Sequence, residues 1–284
     1  GGENTLYGGT GNDTIYTATS KVAGQRGDVV YGGQGIDTIV SSFNNDLIIG
    51  GEFVSNVYED LEGDWVDYST LVSANSYGIS VDLTATTALT FIGADSDRSA
   101  YNGDYSRAYK LDEFGAQTTD FDNLRGIDYI KGSAYSDTLK GDASGNSILA
   151  GAGDDTIFLD ASGADYIDGG TGSNWLSLED NYRGTIDLRS AYNTAGSTGG
   201  AVTVYNIQNV LGRSASDRDE TVWGRSDSTY GETFILFGGN DTALGGAGND
   251  LYDMGAGNDR AYTNYGSDTL IGGAGTDTID HWGN

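Results

Sequence analysis

The chain is 284 residues long, with 46 glycines, no proline and no cysteine, and its 42 acidic residues against 14 basic ones leave a formal charge of −28. That balance excludes nucleic acid as a partner, because phosphate recognition needs clustered Lys and Arg, and the lack of cysteine excludes disulfides and thiolate metal sites. With 19 tyrosines, 8 phenylalanines and 4 tryptophans the chain has too much apolar mass for disorder; folded and this acidic, it needs counter-ions, and divalent cations held by carboxylates and carbonyls supply them.

In chain order, residues 1–63 carry the first run of a nine-residue period, with Asp28, Asp37 and Asp46 each nine apart. Each unit is a glycine-rich turn ending in Asp or Asn, followed by a short alternating half such as Thr14-Ile15-Tyr16 or Thr38-Ile39-Val40. Glycine supplies the positive φ of a tight turn, and the alternating half predicts a very short strand with one apolar residue facing inward. Residues 64–131 predict an irregular, wider coil with an insertion at about 84–120, which holds Phe91, Tyr101, Tyr105, Tyr109 and Phe114 with Arg98, Arg107 and Lys110. Such an insertion reads either as a recognition loop or as a surface flap whose aromatics pack back over the repeats.

Residues 132–174 resume the period at Asp137, Asn146 and Asp155, slip by one to Asp165 and return at Asn174. Residues 175–231 predict a second irregular coil: Asn174-Trp175-Leu176-Ser177 echoes Asp64-Trp65-Val66-Asp67, Gly184 to Leu188 echoes Gly78 to Leu83, and residues 206–217 echo 126–137. Asp64 also lies eighteen residues, one whole coil, after Asp46, which predicts that the irregular segment between them stays in the roll. Residues 232–284 hold the most regular run, Asp241, Asp250, Asp259, Asp268 and Asp277, each nine after the last. The five segments read as one continuous solenoid with Val81, Leu83, Ile186 and Leu188 turned inward.

Two units close one eighteen-residue coil of a flattened parallel helix, so the fold class is all-β. Asp241, Asp259 and Asp277 then share one edge, and Asp250 and Asp268 the other, at the ~4.8 Å spacing of paired strands. Carboxylates so close repel unless a cation lies between them. Calcium suits the pattern better than magnesium, which demands stricter geometry, or zinc, which wants sulfur and imidazole.

Catalytic constellations are lacking: there is no cysteine, no G-x-S-x-G elbow, and His281 reads as a terminal surface residue. Trp65 and Trp175 recur at equivalent repeat positions and read as packing residues; Trp223 and Trp282 stay open, with core or coil-capping use ahead of ligand binding. Asp95-Ser96-Asp97 starts like an EF-hand loop, but Ala100 stands where glycine is required and no Glu follows at the twelfth place, so that match is rejected. No apolar run approaches the ~18 residues of a membrane span. The start at Gly1 predicts a signal already removed or never present, and both ends predict a piece of a longer protein.

The segments Gly8-Gly9-Thr10-Gly11-Asn12-Asp13-Thr14-Ile15-Tyr16, Gly32 to Val40, Gly245 to Asp253 and Gly272 to Asp280 resemble the RTX, or hemolysin-type, calcium-binding nonapeptide family. The resemblance implies a right-handed parallel β-roll or β-helix solenoid that binds several calcium ions. It implies carboxylates from Asp13, Asp37, Asp155, Asp250, Asp259 and Asp277, and from Asp28, Asp46, Asp137, Asp165, Asp241 and Asp268 in partial repeats; Asn146 and Asn174 depart from the pattern. It further implies turn carbonyls at Gly8, Thr10 and Gly11, at Gly32, Gln34 and Gly35, at Gly151 and Gly153, at Gly170 and Gly172, at Gly245, Ala247 and Gly248, at Gly255 and Gly257, and at Gly272, Ala274 and Gly275. Export through a type I secretion channel, with folding outside the bacterium on calcium, is also implied. The expected function is that of a surface-layer or adhesin component, with calcium, other copies of the chain or cell-surface polysaccharide as partners. The rival is an accessory module of a secreted polysaccharide-active enzyme such as an alginate epimerase; a catalytic β-helix would need carboxylates grouped outside the repeat positions.

Overall fold

A computed structural model describes residues 3–18, 26–54, 57–59, 63–71, 77–89, 103–159, 163–179, 182, 185–189, 195–196, 201–212, 218–226 and 230–281. Phe91, Arg98, Tyr101, the Asp95-Ser96-Asp97 segment and Trp282 lie outside them. Among the described residues there are strands and turns but no helix, so none is long and apolar enough to cross a membrane. The chain divides into two compact units, Gly1–Asp142 with Ser147–Gly151, and Ala143–Asn146 with Ala152–Asn284.

In the first unit, successive short strands alternate between two parallel sheets. One runs Thr14–Tyr16, Thr38–Val40, Trp65–Asp67, Tyr129–Lys131 and Ser147–Leu149. The other begins Thr5–Thr10, Val29–Gln34 and Leu47–Ile49. This alternation is what the nine-residue period demands: a three-residue strand can bury only its middle side chain, so that position must be apolar. The register puts those middles in a column, Ile15 against Ile39, Val66, Ile130 and Ile148. Ile39, Val66 and Ile130 are fully buried, each stabilising by roughly 1.5–3 kcal/mol over exposure.

The insertion is neither a loop nor a flap where it is described. Gly103–Leu111 lies antiparallel between Ile79–Leu89 and Gln117–Arg125, and Gln117–Arg125 lies parallel to Leu47–Ile49, so the hairpin is built into the sheet. Tyr105 joins the core beside Val29, Tyr31, Leu47 and Ile49, while Phe114, at the hairpin tip, is exposed. Tyr105, Ala108 and Leu111 are all buried although a spacing of three alternates faces on a regular strand; register shifts between Tyr105 and Arg107 and between Tyr109 and Leu111 interrupt that alternation.

In the second unit, Thr156–Leu159, Trp175–Leu178, Asn209–Leu211, Thr233–Ile235, Leu251–Asp253 and Thr269–Ile271 form one parallel sheet. Thr185–Asp187, Thr221–Trp223, Thr242–Leu244, Arg260–Thr263 and Thr278–His281 form another. Volumes are matched: the first sheet contributes Phe234 and Tyr252, the second Ala243 and Ala261, and all four are buried. Close packing at fixed coil width requires such large-against-small pairing.

Val81, Leu83, Ile186 and Leu188 are buried as the sequence predicts. The echoed segments also fold alike, since Trp65 pairs in register with Tyr129 and Trp175 with Asn209. Trp65 and Trp175 are half-buried, and the Trp65 ring tilts against Tyr129 at 5.0 Å. Trp223 is half-buried under the Arg189 guanidinium, 3.8 Å from the ring centre. Near His281 the side chain meets Thr263 Oγ1 at 3.1 Å.

Candidate metal centre

Each turn-closing carboxylate does two things. Its Oδ1 accepts the backbone amide of the equivalent residue one coil away: Asp241 N–H donates to Asp259, Asp259 to Asp277, and Asp250 to Asp268, all at eighteen residues and 2.8–3.1 Å. At Asp13, Asp37, Asp250 and Asp277 its Oδ2 turns toward the first glycine of its own repeat. A Cβ added to Gly8, Gly32, Gly245 or Gly272 would fall 3.0, 2.5, 2.0 or 2.5 Å from the Oδ2 of Asp13, Asp37, Asp250 or Asp277. Glycine at the head of the motif therefore makes room for a carboxylate oxygen, besides supplying turn geometry.

Elsewhere the turn does need glycine's conformation. Gly257 has φ of 154°, and a Cβ there would stand 1.5 Å from the Gly239 carbonyl oxygen. The neighbouring carbonyls point along the same edges: Gln34 O accepts Gly11 N–H at 2.7 Å and Ala274 O accepts Gly257 N–H at 2.8 Å. Gly35, Gly151, Gly153, Gly170, Gly172, Gly248, Gly255 and Gly275 share the positive φ, Thr10 pairs with Gln34, and Ala247 bridges to Tyr265.

The ladders in the first unit do not keep an eighteen-residue step. Asp28 N–H donates to Asp46 at that interval, but Asp13 N–H donates to Asp37 across 24 residues and Asp37 N–H to Asp64 across 27. Nor does the eighteen-residue interval from Asp46 to Asp64 make a rung: Asp46 N–H donates to Asp122 Oδ1 at 3.0 Å. Strand Gln117–Arg125 takes the place beside Leu47–Ile49 that the uninterrupted period would assign to the next repeat.

The second unit adds Glu220 and Glu232, whose amides donate to Asp241 and Asp250. Both glutamates are buried, and Glu232 Oε2 fills the space beside Gly224. Asp64, Asp122, Glu220 and Glu232 were not among the expected ligands. Glu232 was findable, standing eighteen residues before Asp250; Glu220 and Asp122 fall off the period.

The second oxygens differ in what they meet. Oδ2 of Asp13, Asp241 and Asp259 is buried and accepts no hydrogen bond. Burial pushes the Asp241 carboxyl up to about 7, opposed by the Glu220 amide and reinforced by the Asp259 charge. Burial likewise raises Asp250 and Asp259, with the charges of Asp268 and Asp277 adding to the effect. A buried carboxylate oxygen without a donor costs several kcal/mol unless a cation meets it. Asp28 is different, since Asn4 N–H and Nδ2 donate to its Oδ1 and Ala18 N–H to its Oδ2. So is Asp137, where Ile79 N–H and Ser133 Oγ donate to Oδ1 and Ser133 N–H to Oδ2. Asp155 donates its amide to Asn174 Oδ1, and Asp165 Oδ1 accepts the Asn146 amide.

Among the described residues no three His, Cys, Asp or Glu side chains converge on a point. A cation at these turns must therefore draw on backbone carbonyls beside one or two carboxylates, an all-oxygen set that fits calcium and not a metal wanting sulfur or imidazole.

A family model described as the RTX calcium-binding nonapeptide repeat matches residues 1–18, 22–53, 124–157, 160–180, 238–261 and 253–283, more than half of the chain. The chain belongs to that family. It is a calcium-binding repeat protein with an all-β parallel β-roll fold. No curated protein matches the chain in a sequence comparison. The matched segments hold the repeat aspartates, while Asp64, Asp122, Glu220 and Glu232, the insertion and residues 181–231 fall outside them.

Proposed function

We propose that this RTX chain is a secreted structural or adhesive component of a bacterial surface, of the surface-layer or adhesin type, which folds on binding several calcium ions. The observation that carries the reading is the buried, donor-less Oδ2 of Asp13, Asp241 and Asp259; at Asp13, as at Asp37, Asp250 and Asp277, the first glycine of the turn leaves space for that oxygen, while Leu236 and Met254 stand at that place before Asp241 and Asp259. Asp37, Asp46, Asp155, Asp165, Asp250, Asp268 and Asp277 extend the set of carboxylates. Asp28 and Asp137, already served by protein donors, are its weakest members.

Bound calcium supplies positive charge to neutralise the ladders. The chain's own residues do the rest: Oδ1 ties one coil to the next, the head glycine admits Oδ2, and the apolar columns exclude water. In a compartment with little calcium a formal charge of −28 opposes compaction, and this suits export of an unfolded chain. The titratable groups are spent on backbone amides rather than gathered in a cleft, which supports a role without catalysis.

The test is a calcium titration of the chelated full chain, followed by far-UV circular dichroism and light scattering. A cooperative gain of β structure with growth in particle size supports the proposal. A gain of structure without growth, together with binding to an anionic polysaccharide, would transfer the chain to the accessory modules of secreted enzymes. A chain fully folded in chelator would sink calcium-driven folding.

A further inference from the structure

Asn174 holds the place of a carboxylate but lacks its charge, and its surroundings show what that does. It is fully buried. Its Oδ1 accepts the Asp155 amide at 3.0 Å, as an aspartate would. Its Nδ2 donates to Gly169 O at 2.8 Å and to Asn206 O at 2.9 Å. The orientation of the carboxamide is settled by its neighbours, since the flipped form would set N–H against N–H and oxygen against two carbonyls.

The echoed position supplies the comparison. A Cβ on Gly50 would meet Gly126 O at 2.1 Å and Asp64 Oδ2 at 2.3 Å; a Cβ on Gly169 would meet Asn206 O at 2.4 Å and Asn174 Nδ2 at 2.7 Å. Gly126 and Asn206 share a left-handed φ, 62° and 54°. The local arrangement of glycine, left-handed carbonyl and buried side chain is shared, although Gly50 precedes Asp64 by fourteen residues and Gly169 precedes Asn174 by five; the second terminal atom of the side chain differs in kind, an acceptor at Asp64 and a donor at Asn174.

We propose that the Asn174 carboxamide takes the part of the cation at its own turn, so that this coil closes without calcium while the aspartate-headed turns require it. The inference rests on the proposed calcium-holding role of those aspartates. Chemically, a calcium ion between a carboxylate and turn carbonyls is replaced by an N–H₂ group that donates to the same kind of carbonyl, and no charge remains to be balanced. The prediction is specific: Asn174→Asp turns a donor into a third acceptor facing two carbonyl oxygens, an arrangement that is stable only with a divalent cation added.

The experiment compares the full chain with N174D and N174A, counting calcium bound per chain at saturation by equilibrium dialysis and measuring the free calcium needed for half of the β signal. N174D is expected to bind one calcium more than the parent chain, to fold fully in excess calcium, and to need more free calcium for half-folding. N174A, which loses the two donor bonds and gains no charge, keeps the parent stoichiometry. An N174D chain with unchanged stoichiometry, or one that excess calcium fails to fold, overturns the proposal. A parent chain that binds no calcium at all would strike the reading of the aspartate turns instead, and the difference between N174D and parent would still be read separately.

Discussion

The ladder Glu220–Asp241–Asp259–Asp277 in the second unit and the ladder Asn4–Asp28–Asp46–Asp122 in the first use the same backbone device, one carboxylate or amide per coil tied to the next by an N–H donor. They differ at the second oxygen. Oδ2 of Asp259 is buried with no donor, whereas Oδ2 of Asp122 accepts Ser41 Oγ at 2.5 Å and Tyr68 OH at 3.1 Å. Joining coils thus needs only Oδ1, and the remaining oxygen decides whether the charge is balanced from outside or by hydroxyls already in the fold. Burial, with the Asp46 charge behind it, raises the Asp122 carboxyl to about 7 against the lowering effect of the Ser41 hydroxyl, the Asp46 amide and the Tyr68 hydroxyl.

Calcium removal should separate the two ladders most widely. In excess chelator, hydrogen exchange at the amides of Asp241, Asp250 and Asp259 is expected to become as fast as in an unfolded chain. The amides of Asp28 and Asp46 should keep measurable protection. Equal loss of protection in both ladders would show that the hydroxyls around Asp122 do not substitute for a cation.

The next largest effect is expected from Asp122→Ala. It removes the acceptor of three buried donors, the Asp46 amide and the Ser41 and Tyr68 hydroxyls. Leaving buried donors unmet costs ~1–3 kcal/mol each where nothing relaxes, so a loss of about 3 kcal/mol in urea unfolding is expected. The loss should be the same at low and high calcium, which sets it apart from a ligand position. Gly257→Ala follows, at about 2 kcal/mol from the φ of 154° and the approach to Gly239 O. Measured as a fall in thermal midpoint in saturating calcium, that change should leave the Asp28–Asp46 amides untouched; a variant as stable as the parent would mean that the turn can shift aside.

These contrasts also mark what the sequence could disclose. The nine-residue period exposed the strands, inward residues such as Ile39, and the aspartates of the C-terminal run, because period and burial have one cause, a strand too short to bury more than one side chain. The echo of Asp64-Trp65 in Asn174-Trp175 was legible for the same reason. Partners across long intervals were not. Asp122 joins Asp46 from 76 residues away because an antiparallel hairpin is built into the sheet, and no local pattern encodes that pairing. Nor does spacing tell an oxygen with a donor from one without: Asp28 and Asp259 both sit on the nine-residue period, and the approach of Ala18 N–H to Asp28 is what sets their second oxygens apart.

The smallest expected effect, and the sharpest in sign, is that of Asp259→Asn. The substitution keeps an oxygen for the Asp241 amide, now 2.8 Å away, and replaces the donor-less Oδ2 with a group that donates, as at Asn174. It also removes the charge that pushes the Asp241 carboxyl upward. At free calcium low enough to leave the Asp259 turn largely unoccupied but sufficient to keep the chain folded, the variant should therefore be slightly more stable than the parent, by about 0.5–1 kcal/mol, the scale of one relieved charge contact. In saturating calcium it should be less stable, because a carboxylate ligand is gone and a bound ion stabilises only in proportion to its occupancy. The parent and variant urea midpoints, plotted against free calcium, should then cross. Curves that stay parallel would mean that Asp259 contributes only its hydrogen bond, and the contrast with the Asp122 ladder would lose its physical basis.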